Sequence, residues 1–180
     1  KGRREEARRG LGLQDEFVLI TAGRLDRAKR IHLFVEALNE IDDDDIRLLV
    51  VGTGDQGYLK EIEEVADERT SFLGFKRSRE LADLYNCADL GLWGKASITI
   101  REAMGCGLPL LLLDTPDMES LLKWDNGISS DPEYLPSAIE KLRGDREKLK
   151  RMGDNGRKAV EEELSVEVEA KKLLRVYGVD

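Results

Sequence analysis

The chain is poor in the residues that carry most nucleophilic and metal chemistry. Of its 180 residues, one is histidine and two are cysteine. A Ser-His-Asp triad or a histidine-based metal site would have to be built on His32 alone, and His32 opens an amphipathic helix, where it reads as a surface or packing residue. Cys87 and Cys106 follow neither disulfide nor zinc spacing. Each lies among small or apolar residues and reads as a packed thiol of a reducing compartment. Apolar runs are short, and none approaches the length needed to span a bilayer. Positive charge is in the minority, with 29 Lys and Arg against 37 Asp and Glu and a formal net charge of −8. That balance argues against nucleic-acid binding and against an anionic membrane surface. Outside the acidic run at residues 42–45, which reads as a solvated turn, no Asp-x-Asp pattern occurs, so no magnesium requirement is indicated and no metal or other cofactor is expected. No signal peptide, internal repeat or low-complexity tract is read, and the chain opens on Lys1 rather than Met, as a piece of something longer would.

What is present is a soluble globular balance, 41% hydrophobic and 37% charged, in a length that suits one domain or one lobe of a larger enzyme. Residues 1–14 read as a charged lead-in or linker, helix-prone and without a core of its own. Phe17–Ala22 is a continuous apolar strand, as expected where both faces are covered. A basic loop over 23–30 leads into an amphipathic helix at 31–41. Ile46–Val51 is the second strand, followed by a glycine loop at 52–57 and a helix at 58–67. A short strand at 71–73, a helix at 79–87, a strand at 88–93, the central helix from Ile98 and a strand at 108–113 come next. A short helix at 115–124, a weak strand at 126–130 and helices at 132–143, 145–163 and 165–177 complete the chain, the last capped by Ser165. This alternation predicts an α/β domain over 15–164, a Rossmann-like parallel sheet covered by helices on both faces.

Three stretches carry candidate chemistry. In residues 101–109, the helix that follows the loop at 94–97 has Ser97 as a fair N-cap, which leaves the first N–H groups of the helix facing the preceding crevice, a seat for an anion. Glu102 sits one turn on, where a carboxylate can accept from a diol. Gly105, Gly107 and Pro109 end the helix. In the second stretch, Gly52, Gly54 and Gly57 match a dinucleotide fingerprint but fall on the second strand-to-helix unit, and the next strand ends at Phe75 and Lys76 without an acid. They are therefore read as serving a tight turn and close approach of the backbone to a ligand. In the third, Arg24 follows the first strand at its carboxyl end, and Lys29 comes five residues later. A guanidinium fork and a flexible ammonium converging there suit a diphosphate, whereas Arg27 and Arg30 read as solvated charges.

Together these stretches resemble the donor-binding lobe of a retaining glycosyltransferase of the two-lobed GT-B fold, of the group 1 (family 4-like) type, over nearly the whole chain. Gly23-Arg24-Leu25 with Lys29 is similar to that family's Gly-Arg-Leu…Lys motif. Val51-Gly52-Thr53-Gly54 is similar to its Val-Gly-x-Gly turn, and Phe72-Leu73-Gly74-Phe75 with Glu80, Leu81, Tyr85, Ala88 and Asp89 to its next segment. Glu102-Ala103-Met104 through Gly107 and Pro109 resembles its Glu-Ala-Met-x-x-Gly-x-Pro signature.

The resemblance implies that the chain is a carboxy-terminal lobe binding a nucleoside-diphosphate sugar for hexosyl transfer with retention and without a metal. It implies Arg24 and Lys29 as the catalytic pair, holding the diphosphate and stabilising charge on the leaving group. Gly23, Gly52 and Gly54 lie in its donor loops, Glu102 takes the ribose hydroxyls, the backbone at Phe75 and Lys76 faces the base, and the amides of Ser97 and Ile98 assist at the phosphates. Residues 165–180 would cross toward an amino-terminal, acceptor-binding lobe that this chain lacks, leaving the isolated lobe with little or no turnover. A cytoplasmic location is implied, with peripheral membrane contact open to the whole protein through that other lobe. One departure stands out. The family's Glu eight positions before Glu102, expected to touch the donor sugar, is Gly94 here, and Lys95 follows it, where it can change that contact. The departure keeps open a non-catalytic relative of the fold, and a sugar-nucleotide epimerase or a dehydrogenase is the further alternative.

Overall fold

Phe17–Ala22 forms β1 of the computed structural model, which describes residues 2–165 together with Val168, Ala170, Leu174 and Tyr177. All six residues of β1 are buried, and their alternation sorts them between two cores. Phe17 and Leu19 join one apolar cluster, while Val18, Ile20 and Ala22 join the other, as the two-residue period of a strand requires. Around β1 lie α1 (Gly2–Gly10), α2 (His32–Glu40), β2 (Ile46–Val51), α3 (Gln56–Val65), β3 (Thr70–Phe72), α4 (Ser78–Cys87), β4 (Leu90–Trp93), α5 (Ile98–Gly105) and β5 (Leu110–Leu113). β6 (Gly127–Ser130), α6 (Leu135–Arg143) and α7 (Arg146–Ala159) follow.

The six strands form one sheet in the order β3-β2-β1-β4-β5-β6, and every pairing is parallel. The expected Rossmann-like architecture is therefore present. Strand order reverses between β1 and β4, and the crevice outside the carboxyl ends of those two strands is where such sheets bind ligands. One face is covered by α2, α3, α6 and the first half of α7, through residues such as Phe34, Leu38, Ile62, Ile139 and Met152. The other is covered by α4 and α5, through Leu84, Tyr85, Ile100 and Met104, with Ala159 at the end of α7 and Leu13 after α1 closing on it. No helix among the described residues is long and apolar enough to cross a membrane.

Several elements differ from the sequence expectation for local reasons. The lead-in, expected as a linker or helix without a core of its own, is helical at Gly2–Gly10 and docked on the domain. Arg8 of α1 donates to the carbonyls of Cys87, Gln14 and Glu16, and Arg4 and Arg8 both pair with Asp89. α3 starts two residues earlier than expected because Asp55 caps it, its Oδ1 accepting from the Tyr58 N–H at 2.8 Å. The helix expected over 115–124 is reduced to a 3₁₀ turn at Glu119–Leu121. The 132–143 helix divides into a 3₁₀ turn, Pro132–Tyr134, and α6. The 145–163 helix divides into α7, capped by Asp145, and a π-helical turn at Val160–Leu164. Ser165 Oγ accepts from the Val168 N–H at 3.3 Å, the expected cap bond; the remainder of the 165–177 helix, and its crossing toward another lobe, lies outside the described residues. Cys87 is buried and Cys106 half-buried, both as free thiols, and burial pushes the Cys87 thiol up to about 11.

Candidate functional site

The loop after β1 is laid against the loop after β2 as an extra rung of the sheet. Gly23 N–H donates to Val51 O at 3.0 Å, Leu25 N–H to Thr53 O at 3.1 Å, and Asp55 N–H to Leu25 O at 2.9 Å. This contact is the reason for the glycines at 52 and 54. A Cβ on Gly52 would stand 1.8 Å from the Gly23 carbonyl oxygen, and one on Gly54 would stand 2.1 Å from that of Leu25. The close approach they permit is to the neighbouring loop, a contact the sequence does not show. Leu25 is buried as the anchor, and Arg24 stands between two fixed backbone positions with its side chain 79% exposed.

Past Arg24, Asp26 turns the chain back. Its Oδ1 accepts from the Lys29 N–H at 3.2 Å, capping a 3₁₀ turn over Arg27–Lys29 that ends at Arg30 with φ 54°. Arg27, read from the sequence as a solvated charge, pairs with Glu61 of α3 and lies over the Tyr58 ring. His32 meets the same tyrosine, its Nδ1 2.9 Å from the hydroxyl, which is a packing role. Lys29 reaches the other way, and its Nζ donates to the carbonyl of Ala96, in the loop after β4, at 2.9 Å.

That second loop is held from beneath by a polar network. Trp93 Nε1 donates to Ala22 O at 2.9 Å and contacts Thr99 Oγ1 at 3.1 Å. Thr99 Oγ1 donates to the same Ala22 carbonyl at 2.8 Å and lies 2.9 Å from Ser97 Oγ. The threonine hydroxyl has one proton, spent on Ala22, so Ser97 must be the donor in its pair with Thr99. Ser97 holds the extended conformation of an N-cap but makes no side-chain cap bond, because its hydroxyl is drawn into this network. The backbone N–H groups of the first turn of α5 thus keep the helix-end role. Gly23, with φ 144°, fits directly against this corner: a Cβ there would stand 3.6 Å from Ser97 Oγ and 3.7 Å from Thr99 Oγ1.

Beside the corner lies a crevice of about 270 Å³. Gly23, Arg24, Gly52, Phe75 and Lys76 line it, so five of the sequence candidates, from three separate loops, meet at one place. Phe75 is 70% exposed, an apolar ring presented to solvent at the rim. Thr53, Leu81 and Thr99 also line the crevice; of these, the first-turn amide of Thr99 is expected there from the sequence, whereas Thr53 and Leu81 are not among the candidate site residues. Leu81 has a signal in the amphipathic pattern of α4, whereas the role of the Thr99 hydroxyl has none without its partners Trp93 and Ala22. Glu102 is exposed on α5, one turn beyond Thr99 and on the same side of the helix. Beneath it, burial first and then the charge of Glu102 push the Tyr85 hydroxyl far above the usual phenol range. Gly54 turns onto Leu25 and does not line the crevice. Lys29, Lys95, Ser97, Ile98 and Glu102 are not among the residues that line it, and Lys95 and Ile98 are exposed.

At the far side of the β4 loop stands Asp117, in the loop after β5. Thr115 Oγ1 donates to its Oδ1 at 2.8 Å. That bond, with the Ala96 amide and the charge of Lys95 assisting, holds its carboxyl below the usual range. A larger cleft, about 700 Å³, opens at the opposite edge of the sheet around Arg4, Arg8, Arg146 and Asp89. Its central carboxylate is already matched by those three arginines. Among the described residues, no group of three or more His, Cys, Asp or Glu could hold a metal ion.

The site at the strand-order reversal offers two cations, a helix amino terminus and an apolar-floored crevice, an arrangement suited to a flat ring joined to a diphosphate. Comparison with known proteins bears on what uses it. The family described as glycosyl transferases group 1 matches residues 3–159. Spore coat protein SA of Bacillus subtilis is 26% identical over 97% of this chain, which covers 52% of that protein. The crystal structure of Anabaena HepE in complex with UDP-glucose superposes with a TM-score of 0.89 at 22% identity, over 98% of this chain and 52% of that one. The C-terminal domain of the group 1 protein LpcC from Francisella tularensis matches with a TM-score of 0.75 at 17% identity, over 91% of this chain and 93% of that one. The chain thus spans about half the length of the curated relatives it matches.

Proposed function

The chain belongs to the group 1 glycosyl transferases, and we propose that it is the lobe that binds a nucleoside-diphosphate sugar and presents its hexosyl group for transfer. The observation that carries this reading is the meeting of Gly23 and Arg24 with the Ser97–Thr99 corner beside the crevice of Phe75, Lys76, Thr53 and Leu81. In this reading the base lies in the crevice with its edge on the backbone at Phe75 and Lys76. Glu102 accepts from the ribose hydroxyls. The diphosphate crosses the Gly23–Ser97 contact, facing the first amides of α5, Arg24 and Lys29. Support comes also from the complexes of Anabaena HepE with UDP and with UDP-glucose, whose fold this chain shares.

The chemistry follows from the charges. As the bond between the anomeric carbon and the diphosphate breaks, its electron pair leaves on a phosphate oxygen. Fixed cations and amide dipoles aimed at that oxygen lower the barrier without a metal. Transfer proceeds with retention, onto an acceptor held by a second lobe that this chain does not contain, so the isolated chain binds donor and turns over little. Calorimetry with UDP, GDP and their sugars tests the binding. Arg24→Ala should weaken it by about an order of magnitude, as the loss of one charge-assisted contact does. Absence of binding across the panel counts against the whole reading. One observation favours a second reading, a binding module that no longer transfers: Gly94 stands where the family's carboxylate is expected. Transfer by the full-length protein that is lost in Glu102→Ala would remove that alternative.

A further inference from the structure

The donor-lobe reading leaves the base of the nucleotide unnamed, and this inference rests on that reading. The loop after β3 forms the rim of the crevice and is fixed in place. The Gly52 N–H donates to Gly74 O at 2.8 Å and the Leu73 N–H to Val50 O at 2.9 Å, and Gly74 turns the chain with φ 65°. Beyond that turn, the backbone N–H and C=O groups of Phe75 and Lys76 make no hydrogen bond among the described residues. Buried Ala22, Val51 and Leu81 line the crevice together with Phe75. A flat ring can therefore lie on apolar atoms with its edge toward those free backbone groups.

The side chains around that edge donate more than they accept. Lys76 lines the crevice and is half-buried, and its ammonium has no hydrogen-bond or ion-pair partner among the described residues. Arg24 also brings donors only, with its Nε 3.5 Å from Asp26 Oδ2. The Thr99 hydroxyl is already saturated by Ala22, Trp93 and Ser97, which leaves the Thr53 hydroxyl as the uncommitted side-chain acceptor of the lining. No carboxylate lines the crevice, and Glu80, in the first turn of α4, accepts from the Arg77 N–H at 3.1 Å. A free N–H, a free C=O and an unmatched ammonium complement an imide edge, which offers a carbonyl, an N–H and a second carbonyl. Guanine offers one carbonyl and two donor groups on its edge, so whichever way round it enters, one base N–H meets a group that only donates. We propose that the donor's base is an imide pyrimidine, uracil or thymine, and that Lys76 is its specificity-determining residue, the ammonium donating to one ring carbonyl while the Phe75–Lys76 backbone pairs with the ring N–H and the other carbonyl. Donor facing donor leaves both groups unpaired and desolvated, a mismatch that a polar site rejects more strongly than a missing apolar contact.

The test separates the base from the diphosphate. Binding of UDP, dTDP and GDP to the chain is measured by calorimetry for the unsubstituted protein, Lys76→Arg, Lys76→Glu and, as a control with the same change of charge on an exposed residue of α4, Arg79→Glu. The unsubstituted chain should hold UDP and dTDP at least about tenfold tighter than GDP, the effect of one charge-assisted hydrogen bond made or refused. Lys76→Arg keeps a donor and should keep that preference. Lys76→Glu turns the donor into an acceptor and should move the ratio of the GDP and UDP dissociation constants toward GDP by about tenfold or more. Arg79→Glu should leave the ratio within about twofold, since a general loss of positive charge weakens all three diphosphates alike. GDP bound as tightly as UDP by the unsubstituted chain, or a ratio that Lys76→Glu does not move, overturns the assignment while leaving the donor-lobe reading standing. Failure of the unsubstituted chain to bind any of the three overturns both.

Discussion

The ammonium of Lys29 lies 2.9 Å from the carbonyl oxygen of Ala96, and this single bond ties the loop after β1 to the loop after β4 across the point where strand order reverses. The two loops are separated by more than sixty residues of sequence. The cation therefore has two effects in the proposed site, placing charge at the diphosphate and fixing the shape of the corner that receives it.

Replacing Lys29 tests both effects. Lys29→Met keeps the length of the stem and removes the charge and the latch, and nucleoside-diphosphate affinity should fall about tenfold. The affinity that remains should also depend less on ionic strength, since one screened charge fewer takes part. Calorimetry at two salt concentrations reads both. Unchanged affinity would place Lys29 outside the site.

The packing under residue 94 makes a prediction about stability. Gly94→Ala forces a methyl group against the Lys29 carbonyl and Leu113, and overpacking of this kind costs about 1–3 kcal/mol. Gly105→Ala on α5 is the contrast. The nearest atom to its Cβ position is Val160 Cγ1 at 3.6 Å, and alanine in a helix gains about 0.5–1 kcal/mol over glycine. Urea denaturation midpoints should move in opposite directions for the two variants.

Asp89 organises the opposite edge of the sheet. Its carboxylate, 8% exposed, pairs with Arg4, Arg8 and Arg146 and accepts from the Val18 N–H at 2.9 Å. Asp89→Asn leaves the nearly buried Arg8 guanidinium without its counter-charge, and should cost about 3 kcal/mol of unfolding free energy. Nucleotide affinity of the folded variant should be unchanged, because the carboxylate lies at the amino ends of β1 and β4, away from the crevice. A parallel loss of stability and affinity would contradict that separation.

Acid stability has a named contributor in Asp67. The side-chain hydrogen bond from Arg69 leads in holding its carboxyl below the usual range, while Arg69 itself is buried and donates to the carbonyls of Leu38, Ile41 and Asp43. The pKa is lower in the folded than in the unfolded state, so the contribution is complete above the unfolded value and is lost as pH falls through the folded one. The stability gap between the unsubstituted chain and Asp67→Asn should be constant from neutral pH down to about pH 5 and should close below about pH 4. Urea midpoints across that range measure it, and a gap that widens on acidification would reverse the assigned sign.

Much of this molecule could be read before folding was considered. The apolar runs of β1, β2 and β5, broken in β2 by Arg47, and the amphipathic helices between them specify a parallel sheet buried on both faces, because the two-residue and 3.6-residue periods are properties of neighbouring residues. The same locality put Arg24 and Lys29 at the carboxyl end of β1 and Glu102 one turn into α5. Boundaries went astray where a distant or unweighted partner decided them. Asp55 extended α3 at its start, and the segment at 115–124 had no partner to sustain more than a single 3₁₀ turn.

Other features exist only by virtue of contacts between segments far apart in the chain. Gly52 and Gly54 are required by a contact between loops, since the carbonyls of Gly23 and Leu25 occupy the space their side chains would need. The direction of the Ser97 hydroxyl is set by Trp93 and Ala22 through Thr99. Gly94, in sequence merely an absent carboxylate, is a position filled by the Lys29 backbone. Residue order alone thus determined the layers and the strand ends at which charge is placed. Steric exclusion and donor counting between loops that meet only after the sheet has formed decided which groups surround the crevice, since neither is written in any local period.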